Sequence, residues 1–184
     1  QPILFAIMIS TASAAGVYTQ NLVFAAPVAW DRAITPAENI RAVVVNSGNA
    51  NACTGEQGLS DARDMARAGA VVCDATEKQC LVLSTGIIGN FMPMEKIRDG
   101  IAAAAQQLGR DEEHLVAAAR GMLTTDSVHK LSGRTITLSG RGIQITGMAK
   151  GAAMIGPNMA TMLGLVLTDA PLAAVDAQAL LSKV

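Results

Sequence analysis

The stretch of this sequence best suited to chemistry runs from Lys150 to Leu163. Lys150 opens a glycine-rich run that reaches Gly156, meets the turn pair Pro157-Asn158, and arrives at Ala160-Thr161 where a strand should begin. A lysine ammonium can hold a carboxylate or a developing negative charge. A threonine hydroxyl is a weak nucleophile that works only beside a base. A threonine opening a strand also has a structural explanation, because its branched side chain suits β geometry. Composition and spacing take this segment no further.

Three other segments hold small polar residues beyond what turns need. Ser84-Thr85-Gly86 ends a short apolar run, and a glycine there lets backbone N–H groups converge on an oxyanion. An ordinary tight turn has the same composition. Asn46-Ser47-Gly48-Asn49-Ala50-Asn51-Ala52-Cys53-Thr54-Gly55 is rich in amide donors, yet Asx-turns in a strand-to-helix loop would use them equally well. Leu123-Thr124-Thr125-Asp126-Ser127 offers three hydroxyls and a carboxylate, which helix capping would also explain.

These segments need elements to position them. Residues 41–46 (RAVVVN) read as a buried strand that turns at Ser47-Gly48-Asn49. Residues 55–75 carry Leu59, Ala62, Met65, Ala66, Gly69, Val72 and Cys73 at helical spacing. Residues 80–83 form another strand, closed by Ser84-Thr85-Gly86. Pro93 sits at a helix start, with helix over 94–108, and Asp111 caps a further helix over 112–122. Residues 135–139 and 143–148 alternate as strands around the turn Gly140-Arg141-Gly142. A strand over 162–167 and a helix from 172 close the chain. Strands and helices mixed in this order predict a layered α/β or α+β domain, with 1–184 as a single-domain fragment.

Composition excludes several classes. Net charge is −1 with the two signs interspersed, so no basic stripe for nucleic acid appears. Cys53, Cys73 and Cys80 are odd in number and lack a CxxC pair, and His114 and His129 lie far from them. They read as reduced, mostly buried thiols in a reducing compartment, with neither disulfides nor a metal site. No charge occurs before Asp31, and mean hydropathy is +0.35, which raises the question of a membrane segment. Ser10, Thr11, Ser13, Gly16, Thr19, Gln20 and Asn21 break the roughly 20-residue apolar run that a spanning helix needs. The expectation is instead two buried strands, 3–9 and 16–28, and a chain that starts inside a longer protein.

Taken together, the segments resemble a known family. Met154–Leu163 is similar to the self-cleavage motif Met-Ile-x-Pro-Asn-Met-Ala-Thr-Met-Leu of the ornithine acetyltransferases, the bifunctional arginine biosynthesis enzymes. Gly16-Val17-Tyr18-Thr19, Ala25-Ala26-Pro27-Val28, residues 43–58 (VVVNSGNANACTGEQG), residues 84–89 (STGIIG), Pro93-Met94 and Thr124-Thr125-Asp126 agree in the family's order. The resemblance covers essentially the whole chain.

The resemblance implies an α/β sandwich with mixed sheets, of the type shared with self-cleaving aminopeptidases. It implies autocatalytic cleavage between Ala160 and Thr161, giving an alpha-subunit part (1–160) and the start of a beta subunit (161–184). The freed α-amine of Thr161, with an ordinary pKa of about 7.7–8.0, would serve as the base for its own hydroxyl. Thr161 would then carry acetyl from N-acetylornithine to glutamate, with acetyl-CoA as a further donor in some members and no cofactor or metal. Thr85 and Gly86 align with the oxyanion hole, and Thr124, Lys150 and Thr161 with substrate-binding positions. An α2β2 heterotetramer is implied, cytoplasmic in bacteria and in the mitochondrial matrix in fungi. The second subunit supplies the rest of the pocket, including an acidic residue, so the 184 residues alone should be inactive and marginally folded. Other readings are a self-cleaving aminopeptidase, which uses serine as nucleophile, a secondary-metabolism acyltransferase of the same chemistry, and a binding protein that kept only the fold. A Thr161→Ala change separates the enzymes from the binding protein.

Overall fold

The computed structural model describes residues 3–152 and 162–183. One sheet contains β1 (Ile3–Ala14), β2 (Ala37–Asn49) and β3 (Cys80–Ile87) in that spatial order, with β1 antiparallel and β3 parallel to β2. The parallel β2–β3 pair needs a crossover, supplied by α2 (Gly55–Val72) and a 3-10 turn at Glu77–Gln79. The second sheet is an antiparallel run of β4 (Lys130–Leu138), β5 (Arg141–Lys150) and β6 (Leu163–Thr168). The other helices are α1 (Ala26–Ile34), α3 (Met94–Ala105), α4 (Glu112–Gly121) and α5 (Ala174–Leu181). None of the described helices is long and apolar enough to cross a membrane.

The side-chain alternation of β2 sets the layers. Ala42 and Val44, with Cys80 and Val82 of β3, face a helical layer where Met65, Ala66 and Ala70 of α2 meet Ile97 and Ile101 of α3. Val43 and Val45 point the other way, against Met148 of β5, Met122 and Ala119, with Leu81, Leu83, Leu131, Leu163 and Leu165 completing the cluster. The order is helices, mixed sheet, antiparallel sheet, which is the expected α/β sandwich. It also explains the uninterrupted apolar run of β2, which is buried on both faces. Helix α2 comes close to the sheet because Gly69 faces it: a Cβ there would lie 2.3 Å from Cγ2 of Val44 and 2.8 Å from Sγ of Cys80.

Several expectations change. Residues 16–28 are not a strand. Residues 15–25 form a loop, and α1 follows, with Pro27 in its first turn, where a missing N–H costs nothing. The polar break dominates here: Thr19 Oγ1 accepts from Asn21 N–H and Asn21 Oδ1 from Val23 N–H, which competes with a ladder. Leu22 and Val23 are consequently exposed. The charged α1 residues are absorbed locally. Arg32 lies 4.6 Å over the Phe24 ring, while buried Asp31 accepts from Val82 N–H at 2.9 Å.

Ser47-Gly48-Asn49 and Ser84-Thr85-Gly86 are strand, not turn, because β2 and β3 go on pairing through Gly48↔Gly86. The β4–β5 turn is the two-residue Ser139-Gly140, and Arg141 and Gly142 belong to β5. Both turn residues have positive φ, the hand that matches the twist of a hairpin. The helix expected from 94 stops at Ala105. Asp111 caps α4 as expected, its carboxylate accepting from His114 N–H at 3.0 Å. Cys73 and Cys80 are buried, whereas Cys53 is exposed, and all three are free thiols.

Candidate active site

The site lies where the C-terminal ends of β2 and β3 meet the C-terminal end of β5. Thr85 falls on the same face of β3 as Leu81 and Leu83, toward the second sheet, and is buried. Lys150 is the last residue of β5 and is only 6% exposed. Its ammonium donates to Oγ1 of Thr85 at 3.1 Å. Burying an ammonium is expensive unless it is hydrogen-bonded and its charge is compensated. A surface lysine would have avoided that cost, so the position is set by the packing of the two sheets.

Gly86 continues β3 with φ +136°, a region that disfavours side chains. A Cβ there would lie 2.2 Å from the Gly48 carbonyl carbon and 2.5 Å from the Asn49 nitrogen. Two glycines at one register position let the strand ends close where Thr85 and Gly86 emerge.

The asparagine-rich loop clasps this strand end. Asn49 donates from Nδ2 to the carbonyls of Asn90 and Phe91, both at 3.1 Å, and its Oδ1 accepts from Asn51 N–H at 2.8 Å. Asn51 donates to Gly58 O and accepts from Thr54 Oγ1. Ala50 N–H reaches Ile87 O, and Gly89 N–H reaches Ala52 O, each at 2.9 Å. These amides are engaged in holding the segment after Gly86 to the start of α2, as Asx-turn loops do. Behind Thr85, on the helical face, Asn46 Oδ1 and Ser84 Oγ are buried register partners without a hydrogen bond among the described residues.

One residue of the 123–127 segment, to which the sequence assigned no role, takes part. Asp126 lies in the loop between α4 and β4, and none of its side chain is exposed. Its Oδ1 accepts from Lys130 Nζ at 2.6 Å and from Gly151 N–H at 2.8 Å. Burial would raise this carboxyl. The hydrogen bonds from Lys130 and Gly151 and the charges of Lys130 and Lys150 outweigh it, holding the group below the usual carboxylate range. Thr124, two residues earlier, is exposed in the same loop, which Asp126 brings to the end of β5. The only signal in the sequence was a carboxylate within Thr-Thr-Asp. Ala160 and Thr161 lie outside the described residues; Leu163, which soon follows them, is the register partner of Lys150.

A buried cation behind a hydroxyl, next to a glycine whose backbone is held open, suits an anionic or oxyanionic ligand. The ArgJ family profile matches residues 3–184. The chain is 49% identical over 170 residues to the arginine biosynthesis bifunctional protein ArgJ of Rhodopirellula baltica, covering 92% of this chain and 42% of that protein. It is 52% identical over 167 residues to its namesake in Geobacter sulfurreducens, covering 91% and 41%. The chain thus spans about two fifths of the length of these relatives. The crystal structure of arginine biosynthesis bifunctional protein ArgJ from Bacillus halodurans superimposes with a TM-score of 0.75 at 40% identity, over 86% of this chain and 81% of that one. Ornithine acetyltransferase from Mycobacterium tuberculosis, crystallised with ornithine, gives 0.76 at 33% identity, over 86% and 82%. The fold is therefore that of the ornithine acetyltransferase class of α/β proteins. The chain belongs to the ArgJ family.

Proposed function

We propose that this chain carries the nucleophile-bearing part of an enzyme that moves an acetyl group from N-acetyl-L-ornithine to L-glutamate. The observation that carries the reading is the Lys150–Thr85 contact. A hydroxyl that accepts from an ammonium is polarised, and its own proton is left to point elsewhere, as an oxyanion hole requires.

In this reading Thr161 first attacks the Ala160 carbonyl, and water hydrolyses the resulting ester. The cut leaves Thr161 with a free α-amine, which takes the hydroxyl proton in later turnovers. The Thr161 oxygen then adds to the acetyl carbonyl of N-acetylornithine. Thr85 and Gly86 receive the negative oxygen, the C–N bond breaks, and ornithine leaves carrying the proton. The glutamate amine attacks the acetyl-threonine ester and restores the hydroxyl. Lys150 and Thr124 hold polar groups of the substrates. The amide's acyl group is conserved through the ester, so neither nucleotide nor metal is needed. Acetyl-CoA as a second acetyl donor, an α2β2 assembly, and a cytoplasmic or, in a fungus, mitochondrial location belong to the same proposal. An ArgJ of Meyerozyma guilliermondii, 43% identical, is described as mitochondrial.

The test is an intact mass spectrum of the full-length protein and of its Thr161→Ala variant, followed by acetyl transfer from N-acetylornithine to glutamate. Two masses summing to the precursor plus one water, broken between Ala160 and Thr161, are expected for the parent alone, with transfer lost in the variant. An uncut parent without transfer activity would leave only the fold.

A further inference from the structure

We infer that Asp126 is a positioning residue: by accepting the Gly151 N–H, it fixes the end of β5 so that Lys150 meets Thr85. The inference rests on the acetyl-transfer reading above. It adds a residue that touches neither substrate nor the reacting atoms.

The geometry is a relay of two contacts that meet at the Lys150–Gly151 peptide. On one side, Lys150 Nζ donates to Thr85 Oγ1 at 3.1 Å. On the other, Gly151 N–H donates to Asp126 Oδ1 at 2.8 Å. The amide of Gly151 belongs to the same peptide plane as the carbonyl of Lys150, so holding it sets the direction in which the Lys150 main chain leaves the sheet. The last register pair of β5 and β6 is Lys150↔Leu163, so Gly151 lies beyond the ladder and its amide goes to the loop carboxylate instead. A lysine with four rotatable bonds reaches a fixed hydroxyl only from a fixed Cα; the pairing with Leu163 holds Lys150 in the ladder, and the loop carboxylate adds a second anchor immediately beyond it.

The burial of Asp126 argues against a solvent-facing turn residue. Its side chain is completely enclosed, and Oδ2 has no hydrogen-bond partner among the described residues. Leaving a buried carboxylate oxygen unpaired is costly. A serine could cap this loop without that cost. What the carboxylate supplies is an oxygen that takes two donors at once, Lys130 Nζ from its own side of the loop and Gly151 N–H from β5. The bond to Lys130 at 2.6 Å sets where that oxygen points, and the Gly151 amide follows. Asp126 therefore ties the loop that carries Thr124 to the strand that carries Lys150.

The experiment compares Asp126→Asn and Asp126→Glu in the full-length protein, with the unsubstituted protein alongside. Asparagine keeps an acceptor oxygen in the same place and removes the charge. Glutamate keeps the charge and moves the oxygen by one methylene. For acetyl transfer from N-acetylornithine to glutamate, kcat and KM are measured on cleaved protein, and thermal unfolding gives the folded fraction. Positioning predicts that Asp126→Asn stays within about threefold of the parent kcat, while Asp126→Glu loses at least about tenfold, with KM changed less, since misplacement by about 1 Å costs up to 100-fold. The reverse order would assign the effect to charge and overturn the inference. So would two variants whose kcat per folded molecule equals the parent's, as a merely structural role predicts. If the parent itself neither cleaves nor transfers acetyl, the functional reading fails first and the inference falls with it. An active parent with indifferent variants overturns the inference alone.

Discussion

Oγ1 of Thr85 accepts a hydrogen bond from Nζ of Lys150 at 3.1 Å, although the two residues are 65 apart in sequence and belong to different sheets. Neither residue lies near the other until β3 and β5 stack on the cluster formed by Val43, Val45 and Met148. If the contact polarises the Thr85 hydroxyl for an oxyanion, Lys150→Met in the full-length protein should cut kcat by about 100-fold, near the cost of losing one oxyanion donor. Methionine keeps most of the aliphatic stem, so the melting temperature should hold or rise once the buried charge is gone. Steady-state kinetics together with a thermal melt check this. A variant with full kcat would detach Lys150 from the chemistry.

Gly86→Ala tests the close approach of β2 and β3. Its φ of +136° alone should cost about 1–3 kcal/mol, and the new Cβ would press into the Gly48 backbone, which cannot swing aside as a side chain can. Urea unfolding of the full-length protein should show the midpoint moved down with little change in slope. A midpoint at the parent value would mean that the strand ends relax freely.

Asp31 predicts a pH dependence. Burial pushes its carboxyl well above the usual range, and the Val82 N–H offsets this only in part. The folded state therefore holds a proton that the unfolded state releases near the ordinary pKa of about 3.9. Stability from this group is complete below that value and is lost as pH rises toward the elevated folded pKa, by up to about 1.4 kcal/mol per pH unit. Asp31→Asn keeps an acceptor for Val82 and does not titrate. Its stability relative to the parent should climb with pH across this window in paired denaturation curves. A constant difference would show that Asp31 does not titrate differently on folding.

Gly69→Ala sets two effects against each other. Helix propensity favours alanine by about 1 kcal/mol in the interior of α2. Overpacking against Val44 and Cys80, at 2.3 and 2.8 Å from the new carbon, typically costs about 1–3 kcal/mol. The expected sign is destabilising, because Val44 and Cys80 are themselves enclosed. A higher unfolding midpoint would mean that α2 can lift off the sheet without penalty.

Elements whose signals are local could be read before folding. The β-branched run of β2, the helical spacing of α2 and the Asp111 cap of α4 each depend on residues a few positions apart. The segment before Asp31 misled because an uncharged apolar run fits a buried strand as well as a loop followed by a helix, and Thr19 and Asn21 decide between them through two short hydrogen bonds. The ends of β2 and β3 were read as turns because glycine commonly breaks strands, whereas here Gly48 and Gly86 face each other across the ladder. For the site, type and spacing alone left Thr85, Gly86, Thr124 and Lys150 open to structural explanations, and the family resemblance selected them. Asp126 stood in a segment that both routes marked, as a carboxylate and as part of the matched Thr124-Thr125-Asp126, but neither gave it a role, since its significance comes from Gly151, 25 positions away.

The β5–β6 ladder runs from Ile145↔Thr168 to Lys150↔Leu163, so its two strands lie on opposite sides of the Ala160–Thr161 bond. Beyond it, Gln178 of α5 exchanges two hydrogen bonds with the Gly16 backbone, and Ala174 N–H reaches Glu38 at 2.8 Å. If the bond is cut, the products are born as a complex already docked through main-chain pairing. Unfolding would then release two molecules rather than one. The melting temperature of mature protein would rise with its concentration, while that of a non-cleaving precursor would not, provided no other assembly intervenes.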